Sequence, residues 1–448
     1  MADDRAILRA VLAGVLGLAL TGCDTVKDLL DTETEAPPLP GERISVLALE
    51  QELEPDPEIA SEPVRLPRPV VNRSWPQQGG VASHAMHHLA AGESLALIWR
   101  RGVGAGETDD NLILSSPVVA DFKAFLLDAD SVVTAFNLAS GATEWRADLL
   151  PENEESEASL GGGVAYAQGR VFAATAFGYL VALDAKTGAR VWMRRIGAPL
   201  RAAPTVSDGR VFVITFDNRL FAIDADDGTE LWSHTGITET AGLLGSAVPA
   251  VSGDLVLASY SSGEIFALRV ENGRVAWSDS LIFQGRIGAT TTLSDIDANP
   301  VIDRGQVFAI SHSGRLVAID LRSGLRLWDQ EIAGAQTPWL AGDYLFLVTL
   351  DSHVVCLRRV DGRVRWVTPL TRFEDPEDRE GAIVWSGPVL VGDRLVVVNS
   401  LGEALAISPY TGRWLGKQDL PDGARVAPVV ANETLYILTV DGDLVALR

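Results

Sequence analysis

A few short stretches gather side chains that could do chemistry. "DIDAN" sets Asp295, Asp297 and Asn299 at alternate positions, the opening of an oxygen-ligand calcium loop. Such a loop next needs a glycine for its sharp turn and a bidentate glutamate at its twelfth position. Pro300 and Gln306 stand there instead, so no metal is expected. "SHAMHHL" carries His84, His87 and His88. Two histidines four apart on a helix can hold zinc, but no third ligand or general-base glutamate follows at a matching spacing. The cluster is expected in a polar segment packed on the rim of the fold. "GVGAGE" (102–107) and "LGGGVAY" (160–166) are glycine-rich but open no helix, so they lack the N–H array that cradles phosphate. His234, His312 and His353 are isolated, and no nucleophile elbow is present. The expectation is no catalytic residue, no cofactor and no enzyme.

The remaining reactive side chain is Cys23. Arg5 and Arg9 precede "AVLAGVLGLAL" (10–20), an apolar run too short for the roughly 20 residues that span a bilayer. It fits the apolar core of an export signal, although Asp3 and Asp4 are unusual there and leave open whether Met1 is the true start. "LTGC" (20–23) is similar to the bacterial lipobox, whose cysteine thiol receives diacylglycerol after cleavage. The alternative is an ordinary small-residue cleavage site with a chance cysteine. Asp24 follows, a residue that in enterobacteria often retains lipoproteins in the inner membrane, which leaves inner-membrane retention open beside an outer-membrane address. Lipidation of Cys23 leaves Cys356 without a partner, and in "VVCLRR" it fits a small core position. The net charge of −23 opposes nucleic-acid binding, which needs basic surface. Residues 24–74 are rich in proline and acids, so they are expected as an extended, self-repelling tether. The domains expected are a signal peptide at 1–22, a tether and rim segment at 23–92, and a repeat domain at 93–448.

What must position any site is the repeat. Apolar runs of four to seven residues alternate with turn signals from residue 95 on, with no long helical period. Gly-x-x-x-Trp recurs at Trp145, Trp192, Trp232, Trp277, Trp328 and Trp366, spaced 47, 40, 45, 51 and 38 residues apart. Four strands per period of this length predict propeller blades. In one unit "APTVS" is the inner strand A, "RVFVITF" is B, "LFAIDA" is C, and "DDG" turns into "TELWSH", the outer strand D. Each tryptophan is expected to fill the wedge between neighbouring blades. A seventh unit has Gly416 where the tryptophan should be and Trp414 two residues early. An eighth stops after its C strand, "DLVALR", while "LALIWRRGV" (95–103) is a lone D strand carrying Trp99. Pairing the two closes an all-β, eight-bladed β-propeller and removes an open edge. Seven blades is the alternative count.

The repeats resemble the quinoprotein (pyrroloquinoline-quinone-like) propellers. Dehydrogenases of that group use a calcium-type metal, a catalytic Asp and commonly a disulfide between adjacent cysteines. This chain has no Cys-Cys pair and short inter-repeat segments. The lipobox, the repeats and the stretch "LSDIDANPVI" followed by "AIDLRSG" resemble the BamB family, propeller lipoproteins of the outer-membrane β-barrel assembly machinery. That resemblance implies a non-catalytic scaffold without cofactor, held by lipid at the periplasmic face of the outer membrane. Its implied partners are the POTRA region of the barrel protein BamA, other assembly subunits and unfolded barrel clients. The family's acidic contact loop falls on Asp295 and Asp297. Its leucine- and arginine-bearing loop one blade earlier falls on Leu243 and Leu244, and Leu244 takes the place of the arginine. Two other classes stay open: a periplasmic quinoprotein dehydrogenase and a generic propeller adaptor.

Overall fold

The structure is a computed structural model that describes residues 53–92, 94–108, 111–152, 161–239, 245–282 and 294–448. Glu54–Arg448 forms one compact unit. Among the described residues every regular element is a strand, arranged as eight four-stranded antiparallel sheets and one two-stranded hairpin. Blades 1 to 7 span 118–148, 162–195, 205–235, 250–280, 301–330, 339–369 and 385–419. Blade 8 joins Val429–Ala431, Thr434–Leu438 and Asp443–Leu447 to Leu97–Gly102, and Trp99 lies opposite Ala446. The N-terminal strand therefore closes the ring, and the count is eight.

A lateral row across the B, C and D strands explains the motif. In blade 2, Phe172 on B faces Ala182 on C, which faces Trp192 on D. The small central residue lets the two rings meet over it, with centroids 5.9 Å apart. The same row is Phe125–Ala135–Trp145, Phe212–Ala222–Trp232 and Phe308–Ala318–Trp328. In blade 6 Cys356 is the small residue, fully buried between Phe346 and Trp366. Each indole then reaches the next blade. Trp145, Trp192, Trp232, Trp277, Trp328 and Trp366 donate to the carbonyls of Ala185, Ala225, Val270, Leu321, Arg359 and Pro409, at 2.8–3.1 Å. The motif glycine serves this contact as well as its turn. Gly188 has φ +72°, and a Cβ there would lie 2.6 Å from the Trp145 ring.

Blade 7 departs for a physical reason. Gly416 lies opposite Ala406 in the row, and Trp414 is exposed. An indole at 416 would look for the C–D turn of blade 8, but blade 8 takes its C and D strands from opposite ends of the chain. Trp99 packs on Tyr436 of its own blade at 5.9 Å, while Arg101, not Trp99, meets Gly141 of blade 1.

Residues 54–92, expected as tether and rim, belong to the propeller unit. Their backbone is a strap that circles the inner strands, whose free edges need partners. Asn432 N–H donates to Asn72 in blade 8, Trp75 pairs with Val119 in blade 1, and Tyr166 N–H donates to Pro76 in blade 2. The Gln77 side chain then accepts from Val206 in blade 3. Ala82 and Ser83 accept from Val251 and Ile302 in blades 4 and 5. His87 accepts from the Trp339 indole in blade 6, and Leu89 bonds Leu390 and Gly392 in blade 7. Upstream, Arg363 of blade 6 holds Asp56 and Glu58. Trp75, Gln78 and His84 floor a central cavity of about 280 Å³.

Candidate functional site

The connections entering the A strands and the B–C turns share one face of the ring. There, three successive entries and two turns meet in one cleft. Arg201 comes from the loop entering blade 3, Gly245 and Ser246 from the loop entering blade 4, and Asp295, Ile296 and Asp297 from the loop entering blade 5. Phe216, Asn218 and Ser261 come from B–C turns of blades 3 and 4.

Alternation in "DID" places these side chains. Ile296 is buried and packs with Leu281, Ile302 and neighbours, so the flanking carboxylates turn toward the cleft. Asp295 is 2 % exposed, and its carbonyl accepts from His312 N–H at 2.9 Å. Asn299 ties adjacent loops: its Oδ1 accepts from Val248 N–H at 2.8 Å, and its N–H donates to Thr337 Oγ1 at 3.3 Å. The Asn218 side chain spans two turns, donating to Ile237 O and accepting from Ser261 N–H.

Two like charges in one buried loop raise each other's cost. Burial first, and the Asp295 charge second, push the Asp297 carboxyl up to about 7, against the pull of Arg201. The Arg201 guanidinium lies 3.7 Å from the Phe216 ring centroid. Burial lowers its pKa, opposed by Asp295 and Asp297. In both partners desolvation outweighs attraction, as expected for charges drawn partly out of water.

The sequence pointed to Asp295 and Asp297, and the structure brings them together with Arg201, which sequence reasoning missed. "PLRAAP" lies in the same pre-A register as the other loops, and that was the available signal. Leu243 and Leu244 lie outside the described residues, as do Cys23, Asp24 and the signal region. The histidines are a correction, because they do not sit as a polar patch on the rim. His84 and His88 are buried, and each is spent on a different partner. His84 Nδ1 bonds Pro300 O at 2.8 Å, and burial lowers its pKa to about 4. His88 bonds Pro67 O and accepts from Asp393 N–H, while His87 lies 3.6 Å from Asp303. They are placed by the strap's course around the axis. Among the described residues no three His, Cys, Asp or Glu side chains are grouped to hold a metal ion.

A closed ring of eight four-stranded antiparallel blades defines a propeller of the quinoprotein-like architecture. The family model described as "Outer membrane protein assembly factor BamB" matches residues 129–368. The "Outer membrane protein assembly factor BamB" of Salmonella typhimurium is 33% identical over 356 residues, covering 78% of this chain and 88% of that protein. The crystal structure of BamB from Moraxella catarrhalis superposes with a TM-score of 0.64 at 22% identity, covering 78% of this chain and all of that one. A europium-containing methanol dehydrogenase gives a TM-score of 0.65 at 16% identity, covering 85% and 90% of the two chains, and so shares the fold. The chain belongs to the BamB family.

Proposed function

We propose that this chain is a non-catalytic scaffold of outer-membrane protein assembly, anchored by lipid on Cys23. Its ring presents the loops entering blades 4 and 5 to the periplasmic POTRA region of a BamA-like barrel protein. One observation supports the docking site: Asp295 and Asp297 line a single cleft with Gly245 and Ser246, and a Cβ on Gly245 would lie 3.3 Å from Asp297 Oδ1. The family supports the role, since relatives are named as outer membrane protein assembly factors. The chemistry suits recognition. Carboxylates held in a partly dry cleft discriminate strongly between partners with and without matching donors. The lipid would hold the protein at the periplasmic face of the outer membrane, and residues 23–53 would set its reach.

Affinity purification from membranes after crosslinking tests this. Recovery of the barrel protein and other assembly subunits is expected, and their absence would favour a generic adaptor. Asp297→Asn should weaken binding to the purified POTRA region while the propeller still folds. Equal affinity would remove the acidic loop from the site. Cys23→Ser should move the protein from the membrane to the soluble periplasmic fraction.

A further inference from the structure

We propose that Arg201 is a positioning residue of the docking cleft, fixing the Asp295–Asp297 loop against the blade 4 loop between them. This rests on the docking role just proposed. Among the described residues lining the cleft, Arg201 is the only cation.

Its placement is built rather than incidental. Leu200 is fully buried and bridges Thr215, with Leu200 N–H donating to Thr215 O at 3.2 Å. Phe216 N–H donates to Pro199 O at 2.9 Å. The backbone on the N-terminal side of Arg201 is therefore clamped to blade 3, and the guanidinium lies on the Phe216 face. A stacked guanidinium loses little entropy on forming a further contact. Arg201 comes from blade 3 and the two acids from the entry to blade 5. The electrostatic tie between them therefore passes the 245–246 end of the blade 4 loop, which lines the same cleft. Fixing that distance sets how far apart the two proposed contact loops stand.

A merely structural arginine and a positioning arginine differ in their pH signature. The titratable groups in the cleft are Arg201, Asp295 and Asp297, while His84 and Arg425 line the central cavity, which shares Arg201 and Asp297 with it. Arg201 lowers the Asp297 pKa, and Asp295 raises it. Removing the guanidinium moves the protonation of Asp297 to higher pH, so binding that needs the carboxylate is lost earlier on acidification.

The experiment is calorimetric titration of the full propeller with the purified POTRA region of the same organism's barrel protein, from pH 6.0 to 8.5. Wild type, Arg201→Met, Arg201→Gln, Arg201→Lys and Asp297→Asn are compared, with melting temperature confirming the fold. Arg201→Met and Arg201→Gln should weaken binding at neutral pH by about tenfold or more, with the midpoint of loss shifted to higher pH. Arg201→Lys, which keeps the charge but not the fork, should restore that midpoint toward wild type. Should Arg201→Met not fold, the same comparison is made with Arg201→Gln. Wild-type affinity in the neutral variants, or an equal loss at every pH, overturns the proposal. If Asp297→Asn weakens binding and the neutral Arg201 variants do not, the docking site stands and the role of Arg201 falls. If neither matters, the docking site itself is wrong.

Discussion

A buried group at the axis and a partly buried one in the cleft are shifted in opposite senses. His84 is held neutral, with its pKa lowered to about 4. Between 6.5 and 4 the unfolded chain binds a proton that the folded chain refuses, so stability falls as pH drops through that window. His84→Gln should flatten the fall, read as melting temperature against pH. Asp297 is raised to about 7, so between about 4 and 7 the folded chain holds the extra proton. Its contribution is present at low pH and lost as pH rises through 7. Asp297→Asn should therefore be stabilised relative to wild type at pH 8 more than at pH 5. A pH-independent difference would mean that the carboxyl is not perturbed. Of the residues involved, Asp295 and Asp297 were legible because they interrupt the repeat. Arg201 was missed because its pre-A register gives its place on the ring's face but not its neighbours, which the ring brings from loops two blades on.

The blade row makes the strands interdependent. A buried Trp277, bonded to Leu321 of the next blade, fills a wedge and completes a donor at once. Trp277→Ala should cost about 3–5 kcal/mol, measured by denaturant unfolding. Trp414 is about half exposed and outside the row, so Trp414→Ala should stay within about 0.5 kcal/mol. Similar losses for both would sink the row as the organising contact. Gly-x-x-x-Trp was readable from spacing alone, and the turn before it is held in blade 2 by Asp184, accepting from Lys186 and Thr187 N–H. The aromatic partner on the B strand was not read, since Phe172 and Trp192 lie 20 residues apart and become neighbours only through the ladder. Blade 2 also hides its A strand. It uses Gly161, Gly162 and Gly163 where other blades use a small residue and proline, and a Cβ on Gly163 would lie 2.7 Å from Ala203 of blade 3.

At the scale of the whole molecule, two N-terminal features complete the ring. Leu97–Gly102 supplies the missing outer strand, and residues 72–89 hydrogen-bond to the inner strands of all eight blades in order, in blade 6 through the Trp339 indole. Deleting residues 54–92 should lower the melting temperature markedly and promote association through the bared inner edges. Deleting the tip of the exposed hairpin, between Phe373–Asp375 and Glu380–Ala382, should change little. An unchanged melting temperature in the first deletion would show that the strap is dispensable. The all-β class, the blade period, the closure arithmetic and the break at the acidic loop were legible in one dimension. All of these are written in local periodicity, in turn chemistry and in where the repeat breaks. That a proline-rich stretch becomes a strap, that the histidines go to separate partners, and that Arg201 lines one cleft with Asp297 emerged only in three dimensions. Those outcomes depend on which free edges and buried charges a closed ring brings together, and a one-dimensional pattern does not contain those distances.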